Sequence, residues 1–128
     1  MRRAERGEEL RTLDGQPRKL DPEDLVIADG ERAIAIAGIM GGEETEVGSG
    51  TTSVLLEAAN FEPLGILRSA ERLHMRTEGS TRWEKGVDPE LAPLAAAYAT
   101  DLLLELAGAH WACEGDVRGE ALDRKSVV

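Results

Sequence analysis

Aromatic side chains make up only 3% of this 128-residue sequence, four in all (Phe61, Trp83, Tyr98 and Trp111). A core built from it must therefore be aliphatic, and its length suits one modest domain and excludes two independent ones. Cysteine is scarcer still: Cys113 stands alone, which rules out an internal disulfide, and no Cys/His cluster has zinc-site spacing. The two histidines, His74 and His110, lie too far apart in sequence to suggest a local metal motif, so no metal ligand is assigned. No apolar run approaches the roughly 18 residues of a membrane span, and the opening MRRAERGEEL lacks the apolar stretch of a signal peptide. A soluble, non-exported, cytoplasmic protein without a membrane partner is expected. Neither a Ser-His-Asp nor a Cys-His arrangement can be drawn, nor a specific pair of carboxylates, so no catalytic residue is assigned.

Basic charge is also in short supply. Fifteen Lys and Arg oppose 25 Asp and Glu, for a net charge of −10. The imbalance is local: residues 21–66 hold ten acidic side chains against one basic, Arg32, whereas residues 68–85 hold five basic against three acidic. Binding nucleic acid over the whole surface is disfavoured, because each phosphate contact needs a Lys or Arg and the long-range field repels a polyanion. Other modules would have to supply most of any affinity for RNA.

What is present reads as β first and α later. Asp14-Gly15 carries a hairpin turn signal. Leu25–Ala28 and Ala33–Ala37 are two apolar runs joined by a tight turn at Asp29-Gly30, and the glycines Gly38, Gly41 and Gly42 stop the second. Ser53–Ala59 predicts a third, strongly apolar strand whose single charge, Glu57, falls where a buried strand should have none. Asn60-Phe61-Glu62-Pro63 predicts the start of a helix with Ile66, Ala70 and Leu73 on one face, ending near Met75. Asp88-Pro89 predicts the N-cap and first residue of a second helix, whose face of Leu91, Leu94, Ala95, Tyr98, Leu102 and Leu106 runs to Gly108. Trp111–Val117 reads as a returning strand. The fold class expected is α+β, a mixed or antiparallel sheet with two main helices packed on it.

Three groups invite a functional reading, each beside a structural one. The block Gly38-Ile39-Met40-Gly41-Gly42 lets backbone approach a ligand closely, or forms a strand-to-loop bend. It lacks the Lys-Ser/Thr of a phosphate-binding loop and the dinucleotide spacing. Glu57 either accepts a hydrogen bond from a ligand hydroxyl or ammonium, or pairs with a backbone donor or an arginine, because an unpaired buried charge costs roughly several kcal/mol. Arg76–Arg82 is a polar loop in which Thr77 and Ser80 orient water or a carbonyl, or satisfy turns and caps. Arg68, Arg72 and Arg76 share a helix face that either steers RNA or is simply solvated.

In order along the chain, Leu13-Asp14-Gly15, Leu25-Val26-Ile27-Ala28-Asp29, Ala37-Gly38-Ile39-Met40-Gly41-Gly42 with Thr45-Glu46-Val47, Leu56-Glu57-Ala58-Ala59-Asn60-Phe61, Arg76-Thr77-Glu78-Gly79-Ser80 and Glu84-Lys85-Gly86-Val87-Asp88-Pro89 form six blocks. Together they closely resemble the bacterial phenylalanyl-tRNA synthetase β-subunit family, specifically its central editing module. The resemblance implies an α2β2 enzyme in which the α subunit activates phenylalanine with ATP and Mg²⁺. The β module would hydrolyse tRNA-Phe mischarged with tyrosine. Glu57 would read the tyrosine hydroxyl, Gly38 and Gly41 would wall the pocket, and Thr77 and Gly79 would line its opposite side. No cofactor falls in this segment.

The resemblance also implies residues 1–118 as a partial editing module and 119–128 as a linker toward a following winged-helix-like module. The family's module begins upstream with a segment carrying a histidine and an arginine, so the chain resembles a fragment of a longer subunit. The family usually has alanine where this sequence has Gly79, which would enlarge the pocket by one methyl. The alternatives are a non-catalytic structural spacer of a synthetase and a free-standing amino-acid- or RNA-binding module.

Overall fold

Two Asp-Gly pairs reverse the chain where the sequence places them. At the first, Gly15 adopts φ +74°, and Asp14 accepts hydrogen bonds from the Thr12 hydroxyl (2.6 Å) and the Arg18 guanidinium (2.6 Å). At the second, one Asp29 carboxylate oxygen accepts from the N–H groups of Glu31 and Arg32, both at 2.8 Å. A computed structural model describes residues 1–112 and shows what these turns connect. Strands β1 (Arg2–Arg3), β4 (Leu25–Ala28), β5 (Ala33–Ile36) and β6 (Met40–Gly41) form a sheet in the order β1-β4-β5-β6, antiparallel throughout. Strands β2 (Glu9–Arg11) and β3 (Pro17–Lys19) form a separate hairpin, joined to β6 by a bridge between Thr12 and Gly42.

The core is aliphatic, as the scarcity of aromatics requires. Val26 and Ile36, opposite each other in the β4–β5 register, are 0% and 1% exposed. Helix α1 (Pro63–Arg72) adds Ile66 and Ala70, and Leu73 and Met75 follow it into the same cluster. Proline occupies the first turn, and the helix is capped by Glu62, whose carboxylate accepts from Leu64 N–H and Gly65 N–H. A buried carboxylate fastens α1 to the sheet: Asp24 accepts from Ser69 Oγ at 2.6 Å and from Asp21 N–H at 2.9 Å, and pairs with Arg72. Asp24 is thus buried without being orphaned.

The α+β class is as expected, and four local expectations change. Arg76–Arg82 is not a loop, since Glu78–Trp83 forms a helix, α2. Its start is a capping box in which Thr77 Oγ1 accepts from Ser80 N–H while Ser80 Oγ accepts from Thr77 N–H. Ser53–Ala59 is not a strand: no ladder partner pairs with it, and Leu55 is 95% exposed. An apolar, β-prone run becomes a strand only when another backbone satisfies its N–H and C=O groups. Helix α3 (Leu91–Ala107) ends at Gly108 (φ +60°) as read, but starts two residues late, because Asp88 makes a turn with Leu91 and Glu90 instead of capping. Finally, α3 buries none of its residues: Leu94, Tyr98 and Leu106 all face solvent. Of the expected strand at Trp111–Val117, residues 111 and 112 are irregular and the rest lies outside the described residues, as do Cys113 and the 119–128 linker.

Candidate functional site

Glycine at position 38 decides where a cleft can form. Its φ of +68° is disfavoured for side-chain-bearing residues, and a Cβ there would lie 2.8 Å from Trp83 and 3.0 Å from both Ile66 and Phe61. With no side chain in the way, Phe61 and Trp83 meet edge to face, ring centroids 5.5 Å apart. They form the floor of an open cleft of about 440 Å³. Leu56, Glu57, Ala58 and Ala59 make one wall, and Asp88 with the alanines of α3 makes the other.

Glu57 therefore lies in the cleft, though not on a buried strand. Its side chain reaches solvent through the open mouth, while the protein around it withdraws enough water to raise the carboxyl pKa above its ordinary value. Neither structural partner considered for it, a backbone donor or an arginine, is bonded to it among the described residues.

The other expected site residues are divided. Gly38 lines the cleft with Glu57. Thr77 caps α2 and donates from Oγ1 to the Ile39 carbonyl at 2.9 Å, which ties the helix to the glycine block. Gly79 stands behind that block: a Cβ on it would lie 2.9 Å from the Gly38 carbonyl oxygen. The methyl lacking at Gly79 would meet backbone and not open space, so the expected enlargement of the pocket does not occur. Gly41 lies on β6, paired with Ala35 and packed near Leu13, outside the cleft lining.

The arginine stripe is largely occupied by pairing. Arg72 pairs with Asp24 and Arg76 with Glu84 at 2.6 Å. His74, at the end of α1, and His110, after α3, are both exposed and border no part of the cleft. Three residues carry features the sequence reading did not assign. Asp24 is a fully buried acceptor, Asp88 lines the cleft, and Asn60 has a buried Oδ1 with no hydrogen-bond partner among the described residues. The signal for Asp24 was the Ser69 and Arg72 pair three residues apart on α1, which converges on one acceptor. No helix among the described residues is long and apolar enough to cross a membrane.

Residues 1–108 match the B3/4 domain, and the chain belongs to that family. The relatives narrow this further. A phenylalanine–tRNA ligase beta subunit of Moorella thermoacetica is 54% identical over 108 residues, covering 84% of this chain and 13% of that protein. Those of Leifsonia xyli subsp. xyli (48% over 127 residues; 99% and 15%) and Dehalococcoides mccartyi (50% over 130 residues; 100% and 16%) cover this chain almost from end to end. The resemblance to synthetase β subunits read from the six ordered blocks is borne out, and the chain spans about one seventh of the length of the relatives it matches.

Proposed function

We propose that this chain is the editing portion of a phenylalanine–tRNA ligase beta subunit, and that its cleft receives the aminoacyl end of tRNA-Phe mischarged with tyrosine. The observation that carries the reading is the partly desolvated Glu57 carboxylate in one cleft with Phe61 and Trp83. The aromatic floor suits a phenyl ring, and the carboxylate is an acceptor for the phenol O–H that distinguishes tyrosine from phenylalanine. Phenylalanine leaves that acceptor unpaired, which is the arrangement by which a polar pocket discriminates strongly. Water would attack the ester carbonyl, with the 3′ oxygen of the tRNA leaving. The chain's share in that step is to hold the ester in place, since no Ser, Cys or His lines the cleft among the described residues.

In this reading the chain works within a cytoplasmic α2β2 enzyme. ATP and Mg²⁺ act on the α subunit, and tRNA-Phe is held mainly by other modules. Among the described residues no group of three His, Cys, Asp or Glu side chains converges to hold a metal. The same lack of a nucleophile or imidazole favours the second reading, a non-catalytic amino-acid-binding or structural module of the synthetase. Deacylation of tyrosyl-tRNA-Phe, with phenylalanyl-tRNA-Phe as control, separates the two. In the complete subunit Glu57→Ala is expected to slow tyrosyl-tRNA-Phe deacylation about ten- to a hundredfold. Unchanged deacylation would overturn the editing role of Glu57, and binding without turnover in the unmutated subunit would support the second reading.

A further inference from the structure

The wall that carries Glu57 has no backbone support. No N–H or C=O of residues 53–59 is hydrogen-bonded to a described residue, and the run is neither helix nor strand. Its side chains do not suit a solvated loop: Val54, Leu55 and Leu56 are consecutive, apolar and exposed. A β-prone run with free backbone groups is a template for another strand. Where the run ends, the buried Oδ1 of Asn60 has no donor among the described residues.

Across the cleft the same want recurs. Helix α3 has Thr100, Asp101 and Glu105 as its only strongly polar side chains, yet it buries none of its residues. A helix that is apolar around most of its circumference is built to be covered. Both walls border one cleft and so form one continuous face. A second copy of the chain is a poor cover for it: residues 43–62 hold five acidic side chains and residues 86–112 four, with no Lys or Arg in either stretch. Two such faces would bring like charges together, each on a chain of net charge −10. The length of the relatives supplies a different occupant. This chain spans about one seventh of them, so most of such a subunit lies outside residues 1–128. Being covalently joined, a segment from there meets the face at an effective concentration that a separate chain does not reach.

We propose that residues 53–59 are an acceptor strand, completed when an extended apolar segment of the same subunit, from outside these 128 residues, pairs with it and closes over α3, and that this addition fixes the Glu57 wall of the cleft. Pairing imposes a two-residue alternation, with Leu55, Glu57 and Ala59 on one face and Leu56 and Ala58 on the other. In the chain alone Leu56, Glu57, Ala58 and Ala59 all border the cleft. Addition leaves one of these sets there. Glu57 belongs to the set that stays, because a covered face would strip water from its carboxylate and give it no partner. The pairing follows from free backbone groups and does not depend on what the cleft receives, so it stands or falls separately from the editing reading.

Amide hydrogen exchange, measured on the 128-residue chain and on the complete subunit, tests the addition. Residues 54–59 are expected to exchange about a hundredfold more slowly in the subunit than in the chain. Equal rates, fast or slow, overturn the proposal. Slowing of the isolated chain that grows with its concentration assigns the face to a second copy and overturns it too. So does slowing of the subunit that appears only once the α subunit is added. Leu55→Glu gives an independent check, because that side chain is exposed in the chain. The substitution is expected to leave exchange in the chain unchanged and to speed it about tenfold in the subunit, where an apolar cover would meet the new charge. A subunit indifferent to Leu55→Glu overturns the apolar cover.

Discussion

Strand β5 and helix α3 are written in nearly the same alphabet and have opposite fates. Ala33-Ile34-Ala35-Ile36 buries both its ends against β4 and α1, whereas α3, a run of leucine and alanine, buries nothing. Local propensity explains both conformations, since alanine and leucine favour a helix and β-branched isoleucine favours a strand. It does not explain burial. Val26 faces Ile36 across a fixed register, and α1 closes the third side, while no described element closes over Leu94 or Leu106. An apolar face becomes core only where a second surface is held against it.

Substitutions can break or sharpen this contrast, and urea unfolding of each variant measures it. Ile36→Ala is expected to cost the most, about 4 kcal/mol, through the cavity it opens beside Val26. Gly38→Ala follows at about 3 kcal/mol, the sum of an unfavourable φ and a methyl driven into Trp83, Ile66 and Phe61. Asp24→Ala should cost about 2 kcal/mol, because Ser69 and the Asp21 N–H lose their acceptor inside the protein. A smaller effect depends on pH. The Arg2 guanidinium, hydrogen-bonded at 2.6 Å, pulls the Glu8 carboxyl down to about 2 from 4.5. A carboxyl that is more acidic in the folded state stabilises above its unfolded value, so this contribution is complete above about pH 4.5 and is lost between there and pH 2. Arg2 is partly exposed, so about 1 kcal/mol is expected, and Glu8→Gln should flatten that part of the stability profile. Leu106→Ala, at a side chain 76% exposed, should change stability by less than about 0.5 kcal/mol. A cost there comparable to that of Ile36→Ala would show that α3 is covered in solution.

The same contrast marks what could be seen in the sequence. β4, β5 and the Asp29 turn between them were legible because two short apolar runs, a glycine and a side-chain acceptor all pointed one way. α1 was legible through Pro63 and its apolar spacing. Helix α2 was missed because Ser80 stands at the capping-box position where glutamate is the familiar signal, and six residues give no periodicity to read. Ser53–Ala59 was misread because a run of Val, Leu and Ala reports affinity for a partner and not the presence of one. Within the site, Glu57 and Gly38 stood out as a charge and a glycine against their surroundings. Asp88 did not, because its role as a wall of the cleft depends on α3 passing beside residues 56–59, a long-range fact no local pattern carries.

The packing of Trp83 against Gly38 also equips the molecule with an optical reporter. Two indoles are present: Trp83 borders the cleft floor against Phe61, and Trp111 lies 55% exposed beyond α3. Excited in the near ultraviolet, they emit from different surroundings, so an acrylamide quencher reaches Trp111 first. Whatever fills the cleft shields Trp83 and leaves Trp111 as an internal reference, which lets occupancy be followed in the unlabelled protein by the colour of its own light.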